Sequence, residues 1–179
     1  MARLQREDIP ARLYERRRNH EVNKKRTKVL FVCLGNACRS PMAEAIAGRL
    51  GGDVMEASSA GLTPLGRVEM LTMETLARNG YRADGLRSKA IGVAELEAAD
   101  IVINMSGRSK EVEFADPSKV EDWRVQDPYG ADAELYQEIF EEIERRVAEL
   151  ANRVRKSGGG AHIGKAVDGR NRGKGKHKK

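Results

Sequence analysis

Cys33 is followed by five residues and then by Arg39 and Ser40, in the stretch Cys33-Leu34-Gly35-Asn36-Ala37-Cys38-Arg39-Ser40. A thiol, a guanidinium and a hydroxyl at that spacing suit one kind of chemistry, attack by sulfur on the phosphorus of a bound monoester. If the stretch turns into a helix, the backbone N–H groups of Leu34, Gly35, Asn36, Ala37, Cys38 and Ser40 converge on one point. The helix N-terminus adds roughly half a positive charge there. Such a ring of donors favours the thiolate over the thiol. Arg39 would hold two nonbridging oxygens through its planar fork, and the amides would offset the charge gained in the transition state. Ser40 would donate a hydrogen bond to the sulfur. Asn36 reads as a brace whose side-chain amide bonds neighbouring backbone. Cys38 either packs under the loop or closes a reversible disulfide with Cys33 after oxidation, which would shield the nucleophile from irreversible steps.

The departing oxygen needs a proton, and the three histidines, His20, His162 and His177, all lie near the chain ends. The task falls to a carboxylate. Asp127 is the candidate, because Pro128 biases it to an extended conformation and it follows the last expected strand. Asp116 also precedes a proline, but it lies before that strand and ranks lower. After the transfer, Asp127 would take a proton from the water that hydrolyses the phosphocysteine. No metal or cofactor is needed for these steps.

These residues require particular elements to position them. Val29-Leu30-Phe31-Val32 is a continuous apolar run, the pattern of a strand covered on both faces. It delivers Cys33 at its carboxyl end. A helix then begins near Ser40, which can cap it, with Pro41 in the first turn and Met42, Ala45, Ile46 and Leu50 on one face. Further strands are expected over 54–58, 101–103 and 120–125, and helices over 68–79, 93–99 and 133–153. The alternation predicts an α/β fold of three layers, a parallel sheet with helices on both faces. In such folds ligands sit beyond the carboxyl ends of the strands, where the Cys33 to Ser40 loop lies.

Charge divides the chain in the same way. The sequence has 179 residues and a formal charge of +6. Residues 1–28 carry 10 basic and 4 acidic side chains, and residues 151–179 carry 10 and 1, leaving 13 basic and 22 acidic in the middle, or −9. Basicity therefore belongs to two arms around an acidic domain. The expected division is a basic N-terminal extension over 1–27, with a short helix near 9–14, a catalytic domain over 28–152, and a disordered Gly/Lys-rich basic tail over 153–179. The arms are expected to be solvated, with contact to nucleic acid or an acidic surface as their alternative use. Two cysteines exclude a disulfide scaffold and a four-cysteine zinc site. No stretch approaches the roughly 20 apolar residues of a membrane span, and a cytoplasmic location is expected.

Residues 29–45, Val-Leu-Phe-Val-Cys-Leu-Gly-Asn-Ala-Cys-Arg-Ser-Pro-Met-Ala-Glu-Ala, resemble the signature of the low-molecular-weight protein tyrosine phosphatase family. The likeness continues through Ser59-Ala60-Gly61, Gly80, Arg87-Ser88, Ala99-Asp100 and Asp127-Pro128-Tyr129, over about residues 28 to 152. It implies a four-stranded parallel sheet of flavodoxin-like type and a cysteine-dependent protein-tyrosine-phosphatase with a phosphocysteine intermediate. The substrate would be a phosphotyrosine protein or a small aryl phosphate. The resemblance assigns the leaving-group proton to Asp127 and a pocket wall to Tyr129. Gly130 stands where many members carry a second aromatic. Ala37 matches neither the larger aliphatic residue of tyrosine-directed relatives nor the Thr of protein-arginine phosphatases. Both departures imply a wider pocket. Arsenate reductases of the same fold and protein-arginine phosphatases are the alternatives; the reductases use resolving cysteines downstream, and none follows Cys38 here.

Overall fold

A computed structural model describes residues 25–158. The basic extension through residue 24, including the helix expected at 9–14, and the tail from residue 159 lie outside the described residues. Between them the chain runs β1 (Thr27–Cys33), α1 (Arg39–Leu50), β2 (Met55–Gly61), α2 (Met70–Arg78), α3 (Val93–Ala98) and β3 (Ile101–Asn104). It continues through α4 (Lys110–Glu113), a 3₁₀ turn (Pro117–Lys119), β4 (Val120–Asp122) and α5 (Ala133–Lys156). The four strands form one sheet in the order β2-β1-β3-β4, every pair parallel.

The unbroken apolar run of β1 is explained by what covers each face. Val29, Phe31 and Cys33 point into a large core with Met42 and Ile46 of α1, Leu76 of α2, and Tyr136, Phe140, Ile143 and Val147 of α5. Leu30 and Val32 alternate to the opposite face, against Val102, Phe114 and Val120, with Leu96 of α3 partly buried beside them. The three layers are thus unequal. Three helices cover one face, while short α3 and the Phe114 segment cover the other.

Several boundaries differ from expectation, each for a local reason. β4 stops at Asp122 instead of residue 125, because its partner β3 ends at Asn104, opposite Asp122. β2 runs on to Gly61 because β1 offers it seven partners. α5 extends to Lys156, into the segment expected to be tail, and buried Val154 anchors that last turn. α4 and the 3₁₀ turn, unpredicted, are four and three residues long, too short to display a helical period. Among the described residues no helix is long and apolar enough to cross a membrane.

Candidate active site

The loop leaving β1 is held from outside by its carbonyls. Those of Cys33, Leu34, Gly35, Ala37 and Cys38 accept from Leu62, Thr63, Leu65, Glu69 and Met42 amides at 2.8 to 3.1 Å. Among the described residues, no protein acceptor takes the amide hydrogens of residues 34–40. A loop whose carbonyls face outward and whose N–H groups are uncommitted is a concave anion cradle. Asn36 makes the turn possible with φ 45°, a left-handed conformation that Asn tolerates. Gly61, at the end of β2, is required by proximity. A Cβ there would lie 2.9 Å from the Asn36 amide nitrogen and from the Leu34 carbonyl oxygen. Gly61→Ala is therefore expected to push the loop out of place, lowering stability by about 1–3 kcal/mol. Thermal denaturation, with turnover of an aryl phosphate measured in parallel, tests this.

Beneath the loop runs a directional hydrogen-bond chain. Asn36 Nδ2 donates to Ser40 Oγ and Ser59 Oγ, each at 2.9 Å. Ser59 then donates to Glu44 Oε2 at 2.5 Å. With its oxygen accepting from Asn36, Ser40 has its one O–H for Cys33 Sγ, 3.0 Å away, in preference to the more distant Ala60 carbonyl at 3.4 Å. That bond stabilises a negative sulfur. Asn36 Oδ1 accepts from the Lys89 amide at 2.8 Å. Asn36 is thus a brace, but it ties the loop to β2 and to the segment after Ser88, not to neighbouring backbone as its sequence position suggests. Ser40 does not cap α1. The helix begins at Arg39, with Cys38 at the N-cap position and no side-chain cap. The Ser40 hydroxyl is used by the sulfur instead. Burial raises the Glu44 pKa, and the bond from Ser59 partly opposes that rise.

Arg39 is 5 % exposed. One terminal nitrogen donates to the Met105 and Val125 carbonyls at 2.6 and 3.3 Å, and the other to Asp127 Oδ2. Its Nε is buried without a hydrogen-bond partner among the described residues. A buried guanidinium N–H left unsatisfied is costly unless an anion meets it. Asp127 is part exposed. Its Oδ1 accepts from the Tyr129 amide at 3.3 Å. Pro128 O accepts from Ala131 N at 2.9 Å, closing a turn that needs φ 77° at Gly130. The glycine there answers a backbone requirement. Asp116, the rival, accepts from the Ser118 amide and hydroxyl and caps the 3₁₀ turn.

Cys33, Leu34, Gly35, Ala37, Cys38, Arg39, Asp127 and Tyr129 line one pocket of about 330 Å³, while Asn36 and Ser40 lie behind its wall. The chain belongs to the low molecular weight phosphotyrosine protein phosphatase family. The sequence model of that description matches residues 28–159. A putative arsenate reductase of Halobacterium salinarum is 33% identical, covering 69% of this chain and 90% of the relative. A low molecular weight protein-tyrosine-phosphatase of Staphylococcus aureus is also 33% identical, over 69% of this chain and 96% of the relative. The solved structure of an arginine phosphatase from Geobacillus stearothermophilus superposes with a TM-score of 0.67 at 26% identity, over 73% and 94% of the two chains.

Against that family background, other residues come to the pocket that the sequence reading did not select. Thr63, Leu65 and Arg108 line it, and Leu65 is 48 % exposed at its rim. Ser59 and Glu44 support the loop from β2 and α1. The Ser59-Ala60-Gly61 likeness draws attention to Ser59 but gives it no role; the role follows from its meeting with Asn36 in the fold. Cys38 is packed under the loop, its Sγ 3.3 Å from Tyr136 Oη. Burial raises its thiol pKa, with bonds to Tyr136 and Thr72 opposing. Both cysteines are free thiols.

Proposed function

We propose that this family member is a protein-tyrosine-phosphatase that works through a phosphocysteine at Cys33. The observation that carries the reading is the joint arrangement at one pocket of an uncommitted amide loop around Cys33, the buried unpaired Nε of Arg39, and Asp127 at the wall. The cradle and Arg39 suit the three terminal oxygens of a phosphoryl group. The exposed side chains of Leu34, Leu65 and Tyr129 suit a phenyl ring above it.

The sulfur attacks phosphorus as the P–O bond to the phenol breaks, and Asp127 gives its proton to the departing oxygen. Entry of the phosphoryl group draws Arg39 away from Asp127. In the second step Asp127 removes a proton from water, the water oxygen bonds phosphorus, and the P–S bond breaks to return the thiolate.

Two features favour phosphotyrosine over the substrates named for the relatives. Arg108 at the pocket opposes the cationic guanidino group of phosphoarginine. Arsenate reduction consumes two electrons from thiols. The only second thiol of this sequence is Cys38, buried, bonded to Tyr136 and biased by burial to the protonated form. Parallel assays on phosphotyrosine, phosphoarginine and phosphoserine peptides, with thiol-dependent arsenate reduction alongside, test the proposal. The highest kcat/KM is expected on phosphotyrosine. A higher value on phosphoarginine, or faster arsenate turnover, would overturn it.

A further inference from the structure

A second hollow, of about 710 Å³, adjoins the catalytic pocket, and Arg108 lines both. Arg124 lines the second hollow from the segment after β4, and Trp123 and Gln126 flank it. Both arginines are exposed. Several exposed arginines elsewhere on the surface are engaged. Arg153 reaches Glu121, Arg155 reaches Asp53 and Arg145 reaches Glu149. Among the described residues, the guanidinium groups of Arg108 and Arg124 have neither an ion pair nor a hydrogen bond. The hollow holds one carboxylate, Asp122, already bonded by Asn104 Nδ2 at 2.7 Å. It is thus locally positive on a domain whose middle stretch carries −9.

The backbone that presents Arg108 is fixed on both sides. Buried Asn104 donates to the Arg108 carbonyl at 2.9 Å and accepts from the Ser106 amide and hydroxyl at 3.0 and 2.6 Å. Ser106 Oγ in turn accepts from the Arg108 amide at 3.1 Å. Gly107, with φ 78°, allows so tight a turn. The result is a preorganised loop that places an unpaired cation at the boundary between the pocket and the hollow.

We infer that the hollow bounded by Arg108 and Arg124 receives acidic side chains flanking the phosphotyrosine of a peptide substrate. The inference rests on the proposed function and adds the substrate class. Beyond about a Debye length, roughly 10 Å at 0.1 M salt, the domain's net negative charge is largely screened from such a peptide. Close to the pocket, the cations within reach of a flanking acidic side chain are Arg108 and Arg124.

The test uses phosphotyrosine peptides that differ only in flanking Glu, Gln or Lys. With the full chain at low salt, kcat/KM for the Glu peptide is expected to exceed that for the Gln peptide roughly fivefold, mainly through KM, the size that two exposed ion pairs support. The ratio should shrink as salt is added. In the double variant Arg108→Glu, Arg124→Glu the order should invert toward the Lys peptide, with thermal denaturation confirming an intact fold. Equal rates on the Glu and Gln peptides of the unaltered protein would overturn the inference alone. Failure to turn over any phosphotyrosine peptide would overturn the proposed function, and this inference with it.

Discussion

Cys33→Ser is expected to remove turnover of an aryl phosphate by about four orders of magnitude or more while leaving anion binding in place. The two halves of that outcome have separate causes. Turnover depends on a nucleophile that ionises readily, and a serine hydroxyl does not. Ser40, the side chain that meets Cys33 Sγ, is a hydroxyl and is too weak a base to take the proton of a serine in its place. Binding depends on the loop amides and Arg39, which the substitution does not touch. The smaller oxygen can still accept from Ser40, so the chain from Asn36 to Ser40 keeps its direction. Activity on p-nitrophenyl phosphate and competition by inorganic phosphate or a phosphotyrosine peptide, measured on the same preparation, separate the two. Retained turnover would remove Cys33 from its role. Lost turnover together with lost binding would mean that the substitution had disturbed the loop.

The loop was legible in the sequence because its parts are contiguous. Cys33, Arg39 and Ser40 sit within eight residues, between an apolar run and a helical pattern, and local spacing is what a sequence displays directly. The sheet was legible for a related reason, since β1 buries both faces and so shows no polar alternation. What holds the loop was not legible. Ser59 and the Lys89 amide reach Asn36 across 23 and 53 residues, and Tyr136 reaches Cys38 across 98. No period or spacing in the chain encodes those meetings; they follow from parallel strands bringing their carboxyl ends together. Arg108 escaped notice for the same reason. An isolated arginine in a charged loop is ordinary until the braced turn at Asn104 sets it beside the pocket. The far end of α5 escaped for another. Val154 continues the buried face, but it lies among Arg153, Arg155 and Lys156, where charge masks the apolar position.

Asp127→Asn is expected to lower kcat by about 10²–10⁴ on substrates with a poor leaving group, the range that general acid–base catalysis supplies. On p-nitrophenyl phosphate the first step needs little proton donation, because p-nitrophenolate is a stable anion. There the loss should move to the second step, where no carboxylate remains to take the proton from water. A rapid burst of p-nitrophenol followed by slow release of phosphate is the signature, and rapid-mixing measurements of both products would record it. Binding should shift in the opposite direction. In the free protein Asp127 holds one terminal nitrogen of Arg39 and presents a negative charge at the pocket. A neutral amide frees that nitrogen and removes the repulsion, so inorganic phosphate should inhibit more strongly than it does the unaltered enzyme. Asp116→Asn provides the contrast. Its carboxylate caps the turn at Ser118 and does not line the pocket. Because Asn caps about as well as Asp, it should leave stability nearly unchanged, with the burst absent. A burst in the Asp116 variant and none in the Asp127 variant would exchange the two assignments. Weaker phosphate inhibition after Asp127→Asn would show that Asp127 helps hold Arg39 in place, and does not compete with the anion for it.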